Sequence, residues 1–218
     1  MPIQTTSISE LDLLGWKRTI FELYAAIRAD DSPESAWLRW RDTRDGLVRD
    51  HPCSPLTPTQ RGSFRALPYY PYDPALRVLA TAVPADNADA RIGTSTGEPY
   101  RFTRFAHAEF ELYGNPQRLA LYWLTGYGGG IFLPFADATN GAATYGAGRY
   151  LLDTVKGSDL GEQNGRLVLD FNFAYNPSCS YDPAWTCPLP PPENRLDLPI
   201  EAGELAYPAA DVIPAASP

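Results

Sequence analysis

The apolar positions of this chain change period near residue 63, which separates a helical start from a long β region. In SELDLLGWKRTIFELYAAIRA, residues 9–29, the side chains Leu13, Trp16, Ile20, Leu23, Tyr24 and Ile27 recur at helical spacing. They form one apolar stripe on a helix that Ser9 can cap. Gly15 inside it costs about 1 kcal/mol relative to alanine. Ser32 followed by Pro33 places a cap before a proline at the first helical position. A second helix is predicted over 33–50, with Trp37, Trp40, Leu47 and Val48 as its apolar side. Two helices so closely joined predict a helical hairpin over about 9–50. HPCSPLTPTQRG, 51–62, reads as punctuation, because its prolines resist helix and central strand alike.

From residue 63 the period is two. FRALPYYPYD and LRVLATAVP read as short strands, and PADNADARIGTSTGEP as a polar turn region. YRFTRFAHAEFELYG, RLALYWLTG, GIFLPFADAT, ATYGAGRYLLDT and GRLVLDFNFAYN follow as five more strand candidates, separated by turn residues. The pattern predicts a mainly β fold: an antiparallel, barrel-like sheet over about 63–176, preceded by the helical hairpin. The proline-rich run over about 177–200 is too stiff to flap and is expected to lie over the barrel mouth as a lid. Residues 1–205 are expected to form one domain, with a loosely ordered Ala/Pro-rich tail over 206–218.

Strict alternation in GRLVLDFNFAYN puts Leu167, Leu169, Phe171, Phe173 and Tyr175 on one face. Val168, Asp170, Asn172, Ala174 and Asn176 fall on the other. The second face is either wetted or lines a cavity. Val168 and Ala174 beside the polar pair, and the sharp turn that Pro177 imposes, point to the cavity.

Composition narrows the function more than the fold. A net charge of -8 argues against a nucleic-acid partner. No stretch approaches the ~20 apolar residues of a membrane span, and the first residues lack the basic start and apolar core of a secretory signal. The expected location is the cytoplasm, which three cysteines, an odd number, also suit. No dinucleotide fingerprint or phosphate loop is present, and no metal-ligand spacing, so neither a cofactor nor a metal is expected. The sequence sets no oligomeric state.

FLPFADATNGAATYGAGRYL, then LDFNFAYNPSCSYDPAWTCPLPPPEN, then LPIEAGE, resemble the family called domain of unknown function 1684. WLRWRDTRDGLVRDHPCSPL and FRALPYYPYDPALRV resemble its amino-terminal signature, so the likeness spans roughly 10–205. It implies a soluble, largely prokaryotic, single-domain protein with these polar positions as its signature, and no activity.

The candidate chemistry follows from residue types, each with a bland alternative. Arg149 in an apolar strand needs a carboxylate, Asp137 or Asp170, in a structural pair, or else it anchors an anionic substrate. The anchoring role predicts that Arg149→Ala abolishes binding at little cost in melting temperature. Asp137 is a turn former or, paired with Asp170, a proton-transfer carboxylate. His51 caps the second helix or acts as an acid–base group. Cys179 and Cys187 are buried thiols, a disulfide, or a nucleophile at Cys179. Tyr145, Tyr175 and Tyr181 are packing residues that can offer a phenol to a ligand. Asn172 and Asn176 can hydrogen-bond a substrate, and Glu193 and Asn194 form a pocket rim or a local turn. Together these residues predict a small-molecule partner. The expected activity is a cofactor-free lyase, isomerase or hydrolase acting on a small polar or anionic metabolite. A non-catalytic binding protein and a ligand-free scaffold are the alternatives.

Overall fold

The computed structural model describes residues 9–97 and 99–208. Helix α1 (Glu10–Arg28) opens with a reciprocal cap. The Ser9 hydroxyl accepts from the Asp12 N–H, and the Asp12 carboxylate accepts from the Ser9 N–H. Helix α2 (Pro33–Asp50) starts at Ser32 as the sequence predicts. Trp40 Nε1 donates to the Tyr24 hydroxyl at 3.1 Å, which ties the two helices. Residues 51–62 are less irregular than expected, because Pro58 occupies the first turn of a short helix α3 (Pro58–Ser63). A proline is harmless there, and Thr57 with Gln60 closes a second reciprocal cap.

Seven strands follow: β1 (Arg77–Ile92), β2 (Tyr100–Leu112), β3 (Asn115–Leu124), β4 (Ile131–Phe135), β5 (Arg149–Asp153), β6 (Glu162–Gln163) and β7 (Arg166–Asp170). They form one antiparallel sheet in the order β5-β4-β3-β2-β1-β7-β6. Past β7 the chain bends back, and Tyr175 exchanges two backbone hydrogen bonds with Tyr150 of β5, at 2.9 and 3.0 Å. The sheet is therefore barrel-like, closed on this side by one bridge and not by a ladder.

Strand boundaries differ from the sequence reading at three places. β1 runs through PADNADARI, because a register shift between Pro84 and Ala88 accommodates a residue that cannot donate. FRALPYYPYD is no strand; its one ladder contact is a bridge from Tyr69 to Glu204. β7 stops at Asp170. The Asp170 carboxylate accepts the Asn172 N–H at 3.0 Å and turns Phe171–Phe173 into a 3-10 segment. Alternation fails from there: Phe171 joins Leu169 in the barrel core, whereas Phe173 packs on Trp40 under the helices.

Two apolar cores result. One fills the barrel with Leu119, Leu121, Leu133, Leu151 and Leu169 and is sealed by Leu196 and Ile200 from the carboxy-terminal part of the chain. The other lies between the helices and the outer sheet face, around Ile20, Leu23, Trp37, Trp40 and Val168. The proline-rich run packs across Tyr150, whose hydroxyl donates to the Pro188 carbonyl. Gly148 (φ +93°) leaves no room for a Cβ, which would sit 2.5 Å from Pro190 of that run. Order persists to Tyr207, which packs on Phe64 and Tyr181. The rest of the tail expected to be loose, 209–218, lies outside the described residues. No helix among the described residues is long and apolar enough to cross a membrane.

Candidate functional site

Arg149 opens β5 and is 0% exposed. Of the two carboxylates open to it, the structure pairs it with Asp137, at 2.8 Å. Its guanidinium also donates to the Ile200 carbonyl at 3.0 Å and to that of Ala202. Asp137 in turn accepts the Thr139 N–H at 2.8 Å, the Thr139 hydroxyl at 2.6 Å and the Ile200 N–H at 3.3 Å. Burial pulls Arg149 below the usual arginine value, against the Asp137 charge. The pair clamps the chain's carboxy-terminal run onto β5; Arg149 Nε alone is left without a partner, and at 0% exposure no substrate reaches it.

Other polar residues of the signature also hold the backbone or one another, and Asn172 and Asn194 are saturated by it. Asn172 accepts the Asp73 N–H at 2.9 Å and donates to the Asp73 carbonyl at 2.8 Å. Asn194 sits where β3 and β4 splay apart. Its carboxamide accepts the Ala120 N–H at 2.8 Å and donates to the carbonyls of Ala120 and Pro134, at 3.0 and 2.7 Å, so it stands in for a missing peptide. Glu193 accepts from the Tyr122 hydroxyl and from Arg104, the latter at 2.9 Å. The His51 N–H closes α2 on the Leu47 carbonyl at 3.0 Å. Its Nδ1 accepts the Cys53 N–H at 3.1 Å, and its ring meets Trp16 edge-on.

A second group gathers where α2 meets the bend after β7. Glu204, 0% exposed, accepts from Arg44 at 2.7 Å, from the Asn176 N–H at 3.0 Å and from the Tyr181 hydroxyl. Burial raises Glu204, Tyr175 and Tyr181 above their ordinary values. Arg44 stacks over Tyr175, and the Tyr175 hydroxyl accepts from Ser158 at 3.1 Å. Arg44, Ser158, Tyr175, Asn176 and Tyr181 border a cavity of about 110 Å³, as does Cys187. Cys187 and Cys179 are both unbridged, and the Tyr145 hydroxyl is 3.7 Å from the Cys179 sulfur. Among the described residues no three His, Cys, Asp or Glu side chains converge as a metal site would need.

Asp170 is different. It borders a cavity of about 410 Å³ between the α1–α2 junction and the β1–β7 pair, lined also by Arg28, Asp31, Pro33, Arg77, Glu162 and Gln163. Its side chain is 2% exposed. Oδ1 accepts the N–H and Nδ2 of Asn172, at 3.0 and 2.8 Å. Oδ2 makes no close hydrogen bond; it faces Arg77 Nε across 3.8 Å, and the Tyr72 hydroxyl lies beside the carboxylate. Burial raises Asp170 to about 6, against the lowering by Asn172, Arg77 and Tyr72. Burial, and then the Asp170 charge, pushes neighbouring Tyr72 to about 12. One carboxylate oxygen is thus locked in place while the other is held only loosely, and the group titrates near neutrality.

Sequence reasoning brought Asp170 forward for its face of the strand but missed Arg77, Arg28 and Tyr72. Arg77 stands opposite Asp170 in the β1–β7 register. The signal was there in RVLA, where Arg77 and Leu79 share a face that packs toward the helices, but using it required knowing that β1 and β7 are neighbours.

The raised acid has a sign that can be checked. The folded protein holds the Asp170 proton more tightly than the unfolded chain, so its contribution is present below pH 4 and lost as pH rises through about 6. The loss is on the order of 3 kcal/mol. Asp170→Asn keeps an oxygen for Asn172 and has no proton to lose. The variant is expected to match wild type at pH 4 in urea unfolding and to be more stable at pH 8. A stability difference that is constant over this range contradicts the assignment.

Comparison with known proteins comes to the same fold. A family model described as Protein of unknown function (DUF1684) matches residues 62–205. The solution NMR structure of an uncharacterized protein from Haloarcula marismortui is similar at 33% identity and a TM-score of 0.58. The match covers 79% of this chain and 93% of that one. No curated protein matches. Asp170 and Arg77 lie inside the stretch matched by the family model, whereas the helices that complete the cavity wall lie outside it.

Proposed function

The chain belongs to the family described as Protein of unknown function (DUF1684), so its own cavity must supply the reading, and we propose that it is a cofactor-independent enzyme that moves a proton on a small anionic metabolite. The lyase, isomerase and hydrolase classes fit this chemistry. The observation that carries the reading is the Oδ2 of Asp170, loosely held between Arg77 and Tyr72, in a carboxylate raised to about 6 at the wall of the 410 Å³ cavity. Arg77, with 29% of its side chain exposed, takes the anionic group. A substrate held there brings its acidic C–H or its leaving group toward Oδ2. Exposed Asp31 and Glu162 on the same cavity favour a substrate that carries a cationic group beside its anionic one. The site of action is the cytoplasm, a reading supported by three cysteines that are all unbridged.

The test is a panel of small amino and hydroxy acids incubated with the protein in deuterated water and followed by proton NMR. The reading expects exchange of a carbon-bound hydrogen with wild type and none with Asp170→Asn, which still binds. Arg77→Met is expected to weaken binding about 10- to 100-fold while the fold is kept, as for a charged partner removed from a bound ion. Binding unchanged in Arg77→Met excludes this cavity. Binding without exchange by wild type leaves the non-catalytic binding protein.

A further inference from the structure

We propose that Cys179 and Cys187 form a dithiol site that small hydroperoxides oxidise to a reversible disulfide. The site does not use the Asp170 cavity, so either proposal can fail alone. Cys179 lies in the short turn Ser178–Ser180, and Cys187 follows eight residues later. The Cys179 N–H donates to the Cys187 sulfur at 3.3 Å, so the two side chains lie side by side. Rotation of the side chains is then enough to join them, and no secondary-structure element has to move. Cys187 is held by its neighbours: its N–H donates to Ser95 Oγ at 3.1 Å, and its carbonyl accepts the Ser95 N–H at 3.0 Å.

The pair is buried, and the way in is past Cys187. That residue borders the cavity of about 110 Å³ and also an apolar one of about 170 Å³ walled by Phe102, Leu124 and Phe132, and Cys179 lies next to it. A hydroperoxide with a short alkyl group fits the apolar side. The Cys187 thiol, and after it the Tyr145 hydroxyl, lower Cys179 against the effect of burial and so favour its thiolate. Cys53 has no such support, and burial, followed by the Asp12 charge, pushes it up.

The chemistry closes on itself. The Cys179 thiolate attacks the peroxide oxygen. An S–O bond forms, the O–O bond breaks, and the departing alkoxide takes a proton from water. The Cys187 sulfur then attacks the sulfenic sulfur, an S–S bond forms, and the S–O bond breaks. The leaving hydroxide takes up the Cys187 proton as water. Two electrons have passed from the dithiol to the hydroperoxide, and a dithiol reductant restores the site.

The experiment treats the folded, reduced protein with stoichiometric tert-butyl hydroperoxide or hydrogen peroxide, with peptide mapping by mass spectrometry. The expected product has lost two hydrogens and carries a Cys179–Cys187 link, with Cys53 still free, and dithiothreitol reverses it. Cys187→Ser is expected to trap a dimedone-reactive sulfenic acid on Cys179, and Cys179→Ser is expected to abolish both products. Tyr145→Phe, a milder change, is expected to slow oxidation about tenfold at pH 7 by weakening the thiolate. The proposal is overturned if the wild-type pair resists stoichiometric peroxide, if Cys53 oxidises as fast, or if Cys187→Ser gives no adduct on Cys179.

Discussion

Arg149→Met is expected to destabilise the protein by about 3–5 kcal/mol, the usual cost of stranding one half of a buried ion pair. For a chain of this length that lowers the melting temperature by about 10 °C. Asp137 would stay at 0% exposure with no cation, and the carbonyls of Ile200 and Ala202 would lose their donor. Adding Asp137→Leu to Arg149→Met is expected to return part of the loss, because an apolar pair of similar volume leaves no charge behind. Thermal unfolding of the two single variants and the double one checks this. A double variant as unstable as the sum of its parts counts against the pairing. The sequence alone left two readings open, a structural ion pair and a ligand anchor whose removal spares stability. Burial of both partners favours the first.

Glu204→Ala is the other large effect. It would leave Arg44, with only 11% of its side chain exposed, without its carboxylate, and would release Tyr181 and the Asn176 N–H. A loss of about 3 kcal/mol or more is expected from the stranded arginine. Glu204 reaches across from the barrel to α2, so the helical layer should loosen first. The fluorescence of Trp40, which stacks under Arg44, reports that loosening. An unchanged Trp40 signal and an unchanged midpoint in urea would sink the idea that Glu204 is the fastening point. The two losses should not add when combined. Arg149 grips the backbone at 200 and 202, Glu204 is on the same run, and Gly203 between them (φ +75°) lies where a Cβ would meet the Ala174 carbonyl at 2.6 Å.

The parts of this fold that were legible are those decided locally. Caps at Ser9 and Ser32 and one apolar stripe per helix fix α1 and α2 without reference to the rest of the chain. β2 and β3 were equally plain, because their alternation is joined by a tight turn at Gly114. The end of β7 was not, because a carboxylate that binds its own backbone two residues on competes with the ladder, and period counting does not see it. Partner choice was the harder problem. Asp137 and Asp170 were equally open to Arg149, and only the turn through Thr139 and Asn140 decides between them. The candidate cavity lay deeper still, since Arg77 and Asp170 meet only through a register between strands distant in sequence. Glu204 gave no signal at all; a lone glutamate after a glycine reads as solvated until the helix that supplies Arg44 is placed beside it.

The run from 194 to 205 that Arg149, Asn176 and Arg44 all hold leaves the ribosome after every strand. Until it emerges, a nascent chain already long enough for every strand carries a charged pair with open valences and a barrel core without its seal. A chain stalled before residue 205 is therefore expected to stay open, a species for chaperones to hold.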